Sequence, residues 1–289
     1  KIHAGRINLP ALVYLGFEQA ITLVQTLGVV QPDSHSSVTG GTFEGSAYFP
    51  GPNIWSGIGL SRSSASFSSD YASIDPAGDG LLIPGPLGGA SGFALLSAGG
   101  LNVVTNADFT ANYEWNSVYG KMGIPIDCGA NVFLPFFGVG YTRSELNANF
   151  GGSIPGYARD FAYATNVKTN SISPMLGIDM NRKFDRFNLH AGGLVSADFN
   201  DAKGTDRLSF TAFPDSQMSL KNDDTTFGGR VWAGMSFGTD TSPLKVSLDL
   251  AWIHAGNVPQ IMRDGVSPTM MELKSADAVV GTLGATFRF

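Results

Sequence analysis

The chain has 289 residues, a net charge of −6 and a single cysteine, and only 15% of its residues are charged, against roughly 25% for a typical soluble domain. The acidic balance excludes a nucleic-acid binder, which needs a clustered basic face, and the lone Cys128 excludes an internal disulfide. Hydrophobic residues make up 43%, yet no run approaches the ~20 apolar residues of a membrane helix; the best, Leu9 to Phe17, is interrupted by Pro10 and Gly16.

The apolar residues instead recur at alternate positions, which places them on one face of a strand. Gly16 to Val30 predicts a first strand, with Phe17, Ile21, Leu23, Leu27 and Val29 on one face; a helix is the alternative there. Phe43, Gly45, Ala47 and Phe49 predict the next, and Ile54 to about Tyr71 follows it around the turn Pro50–Asn53. A downward strand is then needed before Leu101, and the only room is about Leu87 to Ser97. Leu101 to Trp115 sets Val103, Ala107, Phe109, Ala111, Tyr113 and Trp115 against Asp108, Asn112 and Glu114. Val118, Met122, Ile124 and Ile126 form a separate row, with Tyr119 and Lys121 opposite. Phe133 to Tyr141, Ile172 to Met180, Phe187 to Phe199, Phe227 to Phe237, Leu244 to Trp252 and Ala276 to Phe289 alternate in the same way. The count is twelve, or ten if Gly16–Val30 is helical. Expected connections alternate in length: short at Asp127–Asn131, Asn181–Arg186 and Gly238–Pro243, long at Asn149–Val167, Asn200–Thr225 and Ala255–Lys274.

The last strand carries Val279, Gly281, Leu283, Ala285, Phe287 and Phe289 on one face and ends the sequence on an aromatic. This resembles the C-terminal signature of bacterial outer-membrane β-barrels. The resemblance implies an all-β, transmembrane, antiparallel up-and-down barrel of twelve strands, with ten as the alternative. It implies one domain over 1–289, with 1–15 a periplasmic or in-barrel segment. It places the chain in the bacterial outer membrane with a periplasmic C-terminus, short turns inside and long loops outside. It implies contact with outer-membrane lipid and lipopolysaccharide, and reading of Phe287 and Phe289 by the barrel-assembly machinery. Trp115, Phe187, Phe199, Phe227, Phe237, Trp252 and Phe287 sit near strand ends, where amphipathic rings meet the headgroups.

On that reading the polar rows line a lumen. The expected lumen-lining ionisable groups are Asp108, Glu114, Lys121, Asp179, His190, Asp198, Arg230, Lys245 and Asp249, with Glu44 and Arg288 also on polar rows. Both signs are present, which argues against a strongly selective ladder, and a twelve-strand lumen is narrow. The expected function is a narrow porin-like channel for passive diffusion of small solutes. The alternatives are a non-conducting structural or interaction barrel that binds a partner through its long loops, and an autotransporter-type translocator with Ala11–Leu27 as a pore helix. No catalytic set, metal site or cofactor is expected: His3, His35, His190 and His254 lack partners at ligand spacing, and Asp201, Asp206, Asp215, Asp223 and Asp224 read as a solvated acidic loop. The apolar Leu81–Leu87 stretch in loop 79–92 should not stay in water. It is expected to fold into the barrel mouth or to meet a protein partner. An arginine at Ala191 is expected to cost about 2–4 kcal/mol on the lipid face, and Gly192→Arg, on the lumen face, less.

Overall fold

A computed structural model describes residues 1–9, 14–20, 23–30, 35–75, 81–83, 86–87, 94–95, 103–154, 159–210, 213–238, 243–262 and 268–287. All its regular elements are strands. β1 (Ile2–Asn8), β2 (Tyr14–Ala20), β3 (Leu23–Val30), β4 (His35–Phe49), β5 (Ile54–Asp75), β6 (Leu81–Ile83), β7 (Ala94–Leu95) and β8 (Val103–Gly123) come first. β9 (Ile126–Cys128), β10 (Asn131–Ile154), β11 (Arg159–Lys183), β12 (Phe187–Phe210), β13 (Phe213–Asn222), β14 (Thr225–Phe237), β15 (Leu244–Met262) and β16 (Met270–Phe287) follow.

Twelve of these form one antiparallel sheet, and it closes on itself. The circuit runs β1, β4, β5, β8, β10, β11, β12, β14, β15, β16 and back to β1. The other two members prolong wall strands: β9 continues β8 along β10, and β13 continues β14 along β12. The fold is an antiparallel up-and-down β-barrel with twelve strands in its sheet and ten in its closed circuit. Every strand of the circuit has a neighbour on both sides, but β1 is short: among the described residues it covers β4 only over His35–Gly41 and β16 only over Asp277–Leu283, so the ladder does not extend to Thr42–Phe49 or Gly284–Phe287 on that side. The tight turns gather at the end where Phe287 lies, and three of them use positive φ, at Asn53 (φ 54°), Gly129 (φ 69°) and Gly238 (φ 124°).

Several sequence expectations need correction. The first wall strand is Ile2–Asn8, which pairs with β16 and β4. Residues 2–8 therefore belong to the wall itself. β1 carries only Ile2 and Ile7 as large apolar residues, on opposite faces, so alternation gives no signal there. Gly16–Val30 holds strands β2 and β3, paired with each other in a separate four-stranded sheet with β6 and β7. Neither a wall strand nor the pore helix Ala11–Leu27 forms. Of the expected strand Leu87–Ser97, Ala94 and Leu95 pair with β6 and most of the rest lies outside the described residues. Leu101–Trp115 and Val118–Ile126 do not form two strands, because β8 runs unbroken from Val103 to Gly123. The expected loops Asn149–Val167, Asn200–Thr225 and Ala255–Lys274 are mostly strand.

One physical feature explains these last corrections. The amphipathic sense of the wall reverses part-way along it. On β11 the outward row starts at the turn end as Met180, Ile178, Leu176, Pro174 and Ile172, then becomes Asn170, Lys168 and Asn166. The inward row starts as Asn181, Asp179 and Gly177 and becomes Val167, Thr165, Tyr163 and Phe161. β8 repeats the switch. Met122 and Val118 point out near the turns; Asn116, Asn112, Thr110 and Asp108 point out further along, with Tyr113, Ala111 and Phe109 buried inside.

The apolar outer belt spans Ile172–Met180, Leu244–Trp252 and Val279–Phe287, nine residues on each strand counting both ends. A tilted strand crosses the hydrocarbon core of a bilayer in about 9–11 residues. Outward Tyr141, Phe199, Phe227 and Trp252 mark one edge of the belt, and Phe49, Phe237 and Phe287 the other. Trp115 is corrected as a girdle residue: it faces inward and stacks on Tyr113 at 5.5 Å. β11 has 25 residues, so its remainder rises roughly 30 Å beyond the belt at ordinary strand rise and tilt.

That projecting half is built like a soluble protein. Its outer face carries paired charges: Arg62 with Glu114 at 2.9 Å, Arg143 with Glu145 at 2.7 Å and Lys203 with Asp201 at 2.7 Å. Its interior is one contiguous apolar cluster to which every strand of the circuit except β14 contributes, with Leu220 of β13 in β14's place; it includes Ile7, Val38, Ala65, Tyr113, Leu146, Val167, Leu208, Leu220, Val258 and Val280. Phe67 and Phe109 lie 5.5 Å apart, Phe150 and Phe161 5.4 Å apart. The buried Tyr113 hydroxyl donates to the Pro259 carbonyl at 3.1 Å. Because members come from the whole circumference, the cluster fills the bore.

Candidate functional site: a polar vestibule beneath an apolar core

Below this core, inside the belt, the interior opens into a cavity of about 750 Å³. Its lining comes from the inward rows of the turn half, where alternation leaves polar side chains facing each other across a narrow barrel. Glu44 on β4 is the centre of one cluster. It accepts a hydrogen bond from the Tyr119 hydroxyl, and the ammonium groups of Lys1 and Lys121 lie 3.5 and 3.8 Å away. The Lys1 α-ammonium is pinned by the Thr42 carbonyl at 2.8 Å. Across the cavity Asp249 pairs with His190 and has Lys1 at 4.0 Å. Asp179 accepts the Trp232 indole N–H at 3.1 Å. His3 and Ser63 share a hydrogen bond of 2.8 Å. Arg230 lies over the Trp232 ring at 5.6 Å, and its buried Nε has no hydrogen-bond partner among the described residues.

Of the expected lumen residues, Lys121, Asp179, His190, Arg230 and Asp249 come together here. Asp198 also points inward. It accepts from the Ser196 hydroxyl at 3.0 Å and sits in a buried polar layer at the foot of the core, where Ser171 donates to Asn200 and Asn257 donates to Ser171. Lys245 faces inward nearer the turns. Asp108 and Glu114 are corrected: both lie on the outer face, and Glu114 pairs with Arg62. They sit beyond the reversal, where the polar row is the outer one. Sequence reasoning missed Lys1, His3 and Trp232 as lining groups. Trp232 shares parity with Arg230 inside the Phe227–Phe237 strand, and that was its available signal.

The expected acidic loop is also corrected. Asp206 is fully buried on β12 and accepts from Thr165 at 2.7 Å and Thr269 at 3.0 Å. Asp201, Asp215 and Asp223 lie on the projecting wall against Lys203, Arg207 and Lys221. The Arg207 guanidinium holds the Asp215 carboxyl below its ordinary range. Such exposed pairs add little to stability because water and salt screen them, so they solvate the wall rather than hold it together. His254 pairs with Asp277 at 2.9 Å on the outer face near the reversal. In loop 79–92, Pro86 is fully buried and its carbonyl accepts the Thr269 N–H at 2.8 Å, so this part of the loop rests on the projecting end of the barrel. Phe287 points outward; Phe289 lies outside the described residues.

Gly192 faces the lumen, yet the site is not permissive. A Cβ there would lie 2.4 Å from Trp232 Cζ2 and 2.6 Å from the Ile178 carbonyl oxygen. Gly192→Arg is now expected to destabilise by about 1–3 kcal/mol through overpacking, in urea titrations of vesicle-reconstituted protein. A cost near zero would mean that Trp232 does not pack there.

No protein-family model matches the chain, and no curated protein matches it. Among solved structures, the outer membrane protease OmpT of Escherichia coli is 13% identical over 100% of this chain and 96% of its own, with a TM-score of 0.41. A FadL homologue of Pseudomonas aeruginosa is 10% identical over 99% of this chain and 88% of its own, with a TM-score of 0.27. The ferric yersiniabactin uptake receptor FyuA of Yersinia pestis is 12% identical over 98% of this chain and 52% of its own, with a TM-score of 0.25. Likenesses this distant carry no argument about activity, which must come from the chain's own geometry.

Proposed function

We propose that the protein is a non-conducting outer-membrane barrel that holds its projecting half in the aqueous exterior as an interaction platform. The observation that carries this reading is the apolar cluster fed from around the whole bore, by nine of the ten circuit strands and by β13. Passive diffusion of polar solutes needs a continuous hydrated path, and a dry layer across the bore opposes one. The narrow porin-like channel remains the rival, and the charged vestibule is its support. That channel would require the core to part. The reading is tested by current recordings in planar bilayers. Wild-type protein is expected to leave the baseline of the bare bilayer unchanged. Reproducible unitary steps would overturn the reading in favour of a channel.

Orientation follows from the same asymmetry. The turn end ends flush with the belt, while the other end projects far past it and carries the second sheet. The reading puts the projecting end outside the cell and the C-terminus in the periplasm, with the outer charged wall among lipopolysaccharide headgroups. A tag inserted between Phe210 and Phe213 is expected to bind antibody on intact cells. A tag at Phe184–Arg186 is expected to bind only after the outer membrane is opened. The opposite pattern would reject this orientation.

A further inference from the structure

We propose that the vestibule is a binding site for a small solute bearing a carboxylate or phosphate group, with Arg230 as its anchor. The inference is independent of whether the barrel conducts. It rests on which cavity groups still lack partners. Each described carboxylate in the cluster has a donor: Glu44 has Tyr119, Lys1 and Lys121, Asp249 has His190, and Asp179 has Trp232. Among the basic groups of the cavity, Arg230 alone has neither an ion pair nor a hydrogen bond among the described residues, and its Nε is shut off from solvent. A guanidinium in a low-dielectric barrel with no acceptor is costly.

The cost is removed by an acceptor that matches its shape. Guanidinium presents paired N–H groups in a fixed plane, and an oxyanion takes two of them at once. The guanidinium lies over the Trp232 ring, 5.6 Å from its centroid, so an anion bound there comes close to the indole. Lys1 and Lys121 reach their carboxylates only at 3.5–4.0 Å, so their ammonium groups can turn toward a second anion. The cavity of about 750 Å³ is within the range of small-molecule sites. Glu44, Asp179 and Asp249, the carboxylates around Arg230, are already engaged, so the vacancy beside Arg230 is for negative charge.

The test uses intact protein in detergent micelles, followed by tryptophan fluorescence, because Trp232 touches the anchor. Sodium phosphate, sodium succinate and sodium chloride are titrated at matched ionic strength. A saturable change is expected with phosphate, succinate or both, which identifies the group preferred, and none with chloride. Arg230→Gln is expected to weaken it at least about tenfold, as loss of a charged hydrogen-bond pair does, while Arg143→Gln on the outer wall leaves it intact. Should Arg230→Gln fail to fold, wild-type protein is treated with phenylglyoxal and mapped by mass spectrometry. The bound oxyanion should slow modification of Arg230 and not of Arg62. An identical response to chloride, or Arg230 modified at one rate in all three salts, would overturn the proposal.

Discussion

Leu146→Asp is expected to be among the most damaging single changes in the chain. Leu146 is 1% exposed and faces the centre of the projecting half. Truncation alone, Leu146→Ala, should cost about 2–5 kcal/mol, the usual range for a buried leucine. Aspartate adds a carboxylate without a partner in an apolar interior, which raises the cost by several kcal/mol. Its neighbour Asn147 points outward into water, and Asn147→Asp should stay within about 0.5 kcal/mol. Urea unfolding of vesicle-reconstituted protein measures both. If Leu146→Asp were as mild as Asn147→Asp, the interior at this height would be a hydrated lumen and the bore would be open.

The second large effect lies on the outer wall. Leu176 is 63% exposed in the middle of the belt, and Leu176→Arg should cost about 2–4 kcal/mol, as charges at the bilayer midplane do. Asn166 shares its strand and its face, ten positions further from the turns. Asn166→Arg should change stability by no more than about 0.5 kcal/mol, since that stretch stands in water. A large cost at both positions would mean that lipid covers the whole strand and that the wall keeps one sense throughout.

The belt was legible because its signal is strong and of one kind. Leu244 to Trp252 and Val279 to Phe287 place a large apolar residue at nearly every second position, and the turns between such rows are short and polar. The reversal was harder, because alternation has the same period whichever face is buried. Its trace in the sequence is a slip of phase. Apolar residues hold odd positions at Phe161, Tyr163 and Val167 and even positions from Ile172 to Met180. They hold odd positions up to Trp115 and even ones from Val118 to Met122. A phase slip inside one continuous strand looks like the end of a strand, so the pattern divides β8 and reads β13 and the projecting parts of β10, β11, β12, β15 and β16 as loops.

The vestibule was half legible for the same reason. Lys121, Asp179, His190, Arg230 and Asp249 lie in the turn half, where the assumed sense of the wall holds, and they meet. Asp108 and Glu114 lie past the slip and face outward. Lys1 and His3 depend on which strand closes the circuit, a long-range pairing that local pattern does not carry. The unmatched state of Arg230 is a property of the assembled cavity, visible only once its neighbours are in place.

The reversal is tested most directly by a single-cysteine scan of β11 in a Cys128→Ser background, since the native thiol is exposed. Cysteines at Asn166, Val167 and Leu176 are coupled to an environment-sensitive fluorophore in lipid vesicles. Quenching by lipid-borne spin labels is then compared with quenching by aqueous iodide. The expected result is lipid quenching at Leu176 alone, iodide quenching at Asn166 alone, and neither at Val167, which packs in the core. Lipid quenching at Asn166 together with iodide quenching at Val167 would mean an ordinary barrel, apolar outside and wet inside along its full length, and would contradict the account.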